Sequence, residues 1–174
     1  MNGRFRLTTA LVAAALLVPA QAWAAPGAAS TADGYSTEET GEMAIEPSDT
    51  AGIGLSDVET LGWECKRVWA GRVYRNIFGT ALWRYRQQQG FCYNGSRITS
   101  LYDWRRWAEV YAAGWDFKGH IGRAITGGAG TWHYGTWTQG KFMFCLQWCV
   151  DTKLPWVDID VYGNGGWSHR TGGT

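Results

Sequence analysis

Residues 60–174 hold eleven tryptophans, eighteen glycines and a single proline, Pro155. That mixture constrains the fold more than anything else in the chain. Glycine punctuates short runs of aromatic or alternating character, which is the pattern of an all-β chain. So many rings on 115 residues permit a dense core, and some rings must stand at the surface.

Several runs read directly as strands. Val68 to Tyr74 is one. Ala81 to Gln87 is a second, with Trp83 and Tyr85 on one face and Leu82, Arg84 and Arg86 on the other. Phe91-Cys92-Tyr93 meets Asn94-Gly95, followed by Ser96 to Thr99; Asn-Gly between such runs predicts a hairpin with a type I′ turn. Lys141 to Cys149 reads as another strand, Asp151 to Pro155 as a loop, and Trp156 to Tyr162 as the clearest strand of all. In that last strand Val157, Ile159 and Val161 face the core, while Trp156, Asp158, Asp160 and Tyr162 share the opposite face. Residues 103–113 admit two readings. Trp104, Trp107, Ala108 and Tyr111 fall at helical spacing, with Asp103 as a cap and Arg105–Glu109 as an i,i+4 pair. The β neighbours favour a strand. The expected fold is one antiparallel β-sandwich over 60–174, with two disulfides and room for one short helix.

The chain ahead of this domain differs in kind. Arg4 and Arg6 precede an apolar run from Leu7 to Val18, and Ala22-x-Ala24 fits the small-residue rule for signal peptidase. Residues 1–24 therefore read as a secretory signal, which places the mature chain outside the cell. No later segment approaches the roughly 18 apolar residues of a membrane span. Residues 25–59 carry eight acidic and no basic side chains, with Tyr35 the sole aromatic. They read as a disordered acidic leader, since they offer little apolar surface to offset the entropy of ordering. Residues 60–174 carry a net charge of +7, an asymmetry hidden in the whole-chain value of +1.

Cys65, Cys92, Cys145 and Cys149 are expected to be oxidised in that compartment. Four cysteines allow three pairings. If 141–149 is extended throughout, Cys145 and Cys149 lie roughly 13 Å apart, beyond the roughly 7 Å that a disulfide spans. That favours Cys92–Cys145 with Cys65–Cys149. A zinc site is disfavoured, because no Cys-x-x-Cys spacing occurs.

Leu82 to Tyr85, Phe91 to Thr99, Gly140 to Cys145, Pro155 to Asp160 and Gly165-Gly166-Trp167 together resemble a group of small secreted actinobacterial proteins to which no activity is attached. That resemblance implies a stand-alone secreted domain. Locally, Trp83-Arg84-Tyr85, seven residues before Cys92, is similar to the Trp-Arg-Tyr segment of tendamistat-type α-amylase inhibitors. Those are small, secreted, two-disulfide β-sandwiches. The likeness implies that Trp83, Arg84 and Tyr85 form an inhibitor surface against an extracellular hydrolase such as an amylase.

No catalytic grouping emerges. His120, His133 and His169 are tied to no Ser and acid, and Ser96, Ser100 and Ser168 lie in no Gly-x-Ser-x-Gly elbow. The Gly127-Gly128-Ala129-Gly130 run lacks the lysine and helix of a phosphate loop. No cofactor is expected. Trp156, Asp158, Asp160 and Tyr162 suit a sugar, since rings stack on pyranose faces and carboxylates accept from hydroxyls. A solvated outer sheet face explains the same alternation, and a Ca²⁺ site with oxygens from Gly163-Asn164-Gly165 is a further option. Arg84, Arg86, Arg97, Arg105 and Arg106 form a basic surface if their strands are neighbours. Secretion makes an acidic wall polymer, or the chain's own acidic leader, a better partner for it than nucleic acid. The leading expectation is a non-enzymatic binding domain for a glycan or wall polymer, with the hydrolase inhibitor as the alternative.

Overall fold

The glycine-cut runs resolve into nine strands and no helix among the residues that the computed structural model describes, 34–45 and 62–173. They are Gly34–Ala44 (β1), Glu64–Asn76 (β2), Ala81–Tyr93 (β3), Ile98–Val110 (β4), Trp115–Gly127 (β5), His133–Cys145 (β6), Cys149–Lys153 (β7), Trp156–Tyr162 (β8) and Trp167–Gly172 (β9). Two antiparallel sheets pack as a β-sandwich: β1-β2-β3-β4 in one, β5-β6-β8-β9 in the other, with β7 also on β6. The chain meanders, changing sheets between β4 and β5. Strand β7 pairs with Phe142–Cys145 and β8 with His133–Gln139, so both lie along one edge of β6. Pro155 separates them, because it has no N–H for the ladder. Its carbonyl accepts instead from Gly140 N–H at 2.9 Å.

Alternation decides what is buried. Trp83, Tyr85, Gln87, Gln89 and Phe91 of β3 point between the sheets, as do Val157, Ile159 and Val161 of β8. Trp83 lies stacked between Tyr74 and Phe142, with centroids 5.2 and 4.3 Å away. Two buried hydrogen bonds of one amide tie the sheets together: Gln87 Nε2 donates to the Thr136 carbonyl (3.0 Å), and Thr138 Oγ1 donates to Gln87 Oε1 (2.6 Å). Buried polar groups of this kind fix relative position, since slipping would leave them unpaired.

The strand reading of 103–113 holds over β4, which pairs with β3 along most of its length. Helical spacing of Trp104 and Trp107 is overridden because a helix there would leave the β3 edge open. Leu82 is buried rather than on the arginine face, since the chain after β4 folds over it, with Tyr111 N–H and Ala112 N–H donating to its carbonyl. The Asn94-Gly95 hairpin forms, but only Gly95 has a positive φ, at 88°. Asn94 Oδ1 accepts from Ser96 N–H and Arg97 N–H and widens the turn beyond two residues.

Three further expectations are corrected. The first is the disulfide pairing, which is Cys65–Cys92 and Cys145–Cys149. Cys65 and Cys92 face each other across β2 and β3, with Cα atoms 4.0 Å apart. Cys145 and Cys149 close a hairpin, because the run 141–149 is not one strand. It turns at 146–148 and brings their Cα atoms to 3.9 Å. The second concerns 151–155: residues up to Lys153 belong to β7, and only Leu154-Pro155 interrupts pairing.

The third concerns the acidic leader. Residues 34–44, read as disordered, form edge strand β1 in register with β2 from Gly34–Asn76 to Ala44–Lys66. Backbone pairing and carboxylates, rather than apolar burial, hold this strand. Glu39 crosses the outer face to reach Arg84 and Arg86, both at 2.6 Å. Glu38 and Glu42 lie on the inner side and meet Arg72 (3.5 Å) and Lys66 (2.8 Å). Trp167 and Thr171 of β9 donate to the same two carboxylates, each at 2.5 Å. The rest of the leader and the signal segment 1–24 lie outside the described residues.

Candidate functional site

The residues singled out from sequence separate into two groups. Trp83 and Tyr85 are completely buried, which removes them from any surface that a hydrolase could touch. Arg84 alone of that trio reaches outward, and it is occupied by Glu39 and by Glu109 (3.0 Å). Trp156, Asp158, Asp160 and Tyr162 do share the outer face of β8, all partly exposed. Their carboxylates are engaged: Asp158 takes Arg170 at 2.5 Å, and Asp160 takes His133 Nε2 at 2.7 Å. Among the described residues no three His, Cys, Asp or Glu side chains converge as metal ligands.

Opposite Asp158 on β6 stands Trp137. The Trp137 ring covers Gly122 of β5, and the Trp156 ring covers Gly172 of β9; a Cβ at either glycine would lie 2.6 Å from the ring. Glycine here lets an indole lie flat along the sheet, exposing its outer π-face. The outer face of this sheet therefore carries a row of rings, Trp137, Trp156 and Tyr162, with the half-exposed Trp132 beside Tyr162.

A cleft of about 680 Å³ opens on the side of the sandwich where β4 and β5 stand as neighbouring sheet edges. Gln88, Trp104, Arg105, Arg106, Trp107 and His120 line it. Irregular backbone shapes it on both sides. On β4, Asp103 and Trp104 together oppose Gln89, and Asp103 takes φ 47°, the one non-glycine positive φ among the described residues. Asp tolerates that conformation better than most residues. Here its carboxylate is held by Gln88 and Arg67, each at 2.8 Å, and by Arg105 at 2.5 Å. On β5, register shifts fall at Phe117/Gly119 and His120/Gly122, so His120 sits between two bulges. Bulges re-aim side chains next to binding sites.

The electrostatics of the cleft are uneven. Arg67 and Arg105 share Asp103, while Arg84 and Arg86 share Glu39. Arg106 and Arg123 make no ion pair among the described residues. Both attend the Trp104 ring, with guanidinium carbons 5.4 and 4.0 Å from its centroid. Arg106 also donates to the Gly122 carbonyl at 3.2 Å. Trp104 Nε1 is buried without a hydrogen-bond partner. His120 Nδ1 lies 3.1 Å from the Tyr85 hydroxyl, at the inner wall. Burial, and then the Arg106 charge, push His120 below its ordinary 6.5, so it is neutral at pH 7.

Sequence reading had Arg105 and Arg106 on a basic surface and gave Trp104 and Trp107 no site. It set His120 aside and missed Arg123, because their approach to β4 depends on two sheet edges meeting. No family model, curated protein or solved structure matches the chain.

Proposed function

We propose that the chain is a secreted, non-catalytic binding domain for a glycan or cell-wall polymer that carries acidic groups. The carrying observation is Arg106, left without a carboxylate in a cleft of small-ligand size, with Arg123, also without one, stacked over the Trp104 ring of its wall. Ligand cavities typically span roughly 300–1,000 Å³. Guanidinium forks match carboxylate or phosphate oxygens, and indole rings stack on sugar faces. Arg106 reaches Gly122, and Trp137 covers the other side of that glycine. A polymer leaving the cleft would cross Trp137 toward Trp156 and Tyr162, so the β8 face contributes to the same track. The two disulfides accord with an extracellular setting.

Affinity electrophoresis in gels containing polygalacturonate, a neutral β-glucan or solubilised wall polymer tests this reading. Retardation by the acidic polymers should weaken at least tenfold in the Arg106→Gln/Arg123→Gln variant and fall steeply with added salt. Trp156→Ala should weaken retardation less. Equal retardation of parent and double variant, or none of the parent by any of these polymers, rejects the proposal.

A further inference from the structure

The two ends of the sandwich are chemically unlike. At one end stand the connections 94–97, 128–132 and 163–166, rich in Gly, Asn, Ser and Thr, with Trp132 their one exposed large apolar side chain. At the other end, where β1 begins, stand the turns 77–80, 111–114 and 146–148. These carry Phe78 (85% exposed), Leu146 (75%), Trp148 (72%), Ile77 and Tyr111, with Val150 just after the third turn. Isolated exposed apolar residues need no explanation, but a cluster at one pole does.

The turns are also held still. Asn76 Oδ1 accepts from Phe78 N–H (3.0 Å) and Thr80 N–H (2.9 Å), and Arg75 donates to the Gly79 carbonyl (3.0 Å). Tyr111 N–H bonds the Leu82 carbonyl (2.9 Å) and Cys145 N–H bonds the Gly114 carbonyl (2.7 Å), so the 111–114 turn is tied to β3 beside the first turn and to β6 beside the third. The Cys145–Cys149 disulfide closes a loop whose interior residues include the exposed Leu146 and Trp148. Three nearby cations are paired, Lys118 with Asp116, Lys153 with Asp151 and Arg84 with Glu109, while Arg75 is held by the Gly79 carbonyl and Thr37 without a carboxylate.

We infer that this end docks on a lipid bilayer, with Phe78, Leu146 and Trp148 entering the interface and Tyr111 lying at headgroup level. Convex tips from three separate turns suit a fluid surface that closes around each. A protein partner would need three matching sockets. Trp, Tyr and Phe are the side chains that favour the boundary between headgroup and acyl chain. Paired charges approach a low-dielectric surface at smaller cost than single ones. The chain also reaches Gly34 at this end, after residues 1–33 and the apolar run Leu7–Val18.

Flotation of the secreted protein with phosphatidylcholine vesicles tests the inference, alongside the Phe78→Ser/Leu146→Ser/Trp148→Ser variant and Trp148→Ala alone. Parent and variants share whatever remains of residues 1–33, so any difference belongs to the turns. The parent should float, the triple variant at least tenfold less at unchanged Tm, and Trp148→Ala in between. Quenching of parent fluorescence by bromine-labelled lipid should fall in Trp148→Ala. A parent that does not float, or a triple variant that floats equally, overturns the inference. So does a concentration-dependent dimer that the triple variant abolishes without any flotation, since the turns would then meet a second copy. Arg106→Gln/Arg123→Gln should float like the parent, which separates this result from that of the polymer cleft.

Discussion

At the residue scale, glycine and aromatic side chains work as partners. Gly71 is an example with no ring: it stands opposite Arg86, and the absent side chain leaves the path that Arg86 takes to Glu39. A Cβ there would lie 2.6 Å from Arg86 Cγ and 2.7 Å from the Tyr85 carbonyl oxygen. Gly71→Ala should therefore lower stability by about 1–3 kcal/mol in denaturant melts, as overpacking does. Ile159 is completely buried, and Ile159→Ala should cost about 2–5 kcal/mol. Asp160→Asn, which loses a partly exposed pair with His133, should cost about 1 kcal/mol or less. The reverse ranking would mean that the faces of β8 are exchanged. His120 makes a pH prediction. Its folded-state pKa is lowered by burial and by Arg106, so the unfolded chain takes up the proton first. Its contribution to stability is whole above the ordinary 6.5 and declines as pH falls below it. The drop in Tm just below pH 6.5 should be shallower in His120→Gln than in the parent; identical profiles would exclude this group as a cause.

At the element scale, β1 is the strand that depends on charge. Glu42 is held below the usual carboxylate value of 4.5, chiefly by its hydrogen bond from Lys66, with burial opposing and Trp167 assisting. A lowered acid pKa stabilises above the unfolded value and is lost as pH falls through the folded one. Backbone amides of 34–44 should thus lose hydrogen-exchange protection as pH falls below 4.5, and in high salt, before β2 and β3 do. Simultaneous loss across the whole sheet would show that β1 is part of one cooperative unit. The two disulfides differ in the loop each closes, with sequence separations of 27 and 4. Chain-entropy arithmetic gives about 3.5 kcal/mol for the longer and about 2 kcal/mol for the shorter. Cys65→Ser/Cys92→Ser should accordingly lower Tm more than Cys145→Ser/Cys149→Ser, whose main effect falls on the 146–148 turn.

At the scale of the whole molecule, charge and polarity are both segregated. The net +1 of the chain is the residue of an acidic N-terminal third set against a domain of +7. Part of that acid folds back onto Lys66, Arg72, Arg84 and Arg86. A chain starting at residue 62 should still form the other eight strands, since their pairing does not involve β1. It should bind a cation exchanger more tightly than the parent and self-associate more readily through the bare β2 edge. Unchanged retention would mean that these ion pairs contribute little to the surface field in solution.

Local chemistry made the all-β class, the burial of Val157, Ile159 and Val161, and the presence of two disulfides legible in the sequence. Alternation and glycine placement act over a few residues, and they need no knowledge of distant partners. Pairings between distant segments were not legible. The register of β2 on β3 sets Cys65 opposite Cys92, and a three-residue turn sets Cys145 beside Cys149. Strand β1 had no apolar signal, because an edge strand held by carboxylates buries little of its own surface. Trp83 and Tyr85 look like a surface motif in one dimension, yet a second sheet covers them. Arg106, Arg123 and His120 meet only because the chain changes sheet after β4. That meeting of two edges is a tertiary event, and no periodicity within either strand records it.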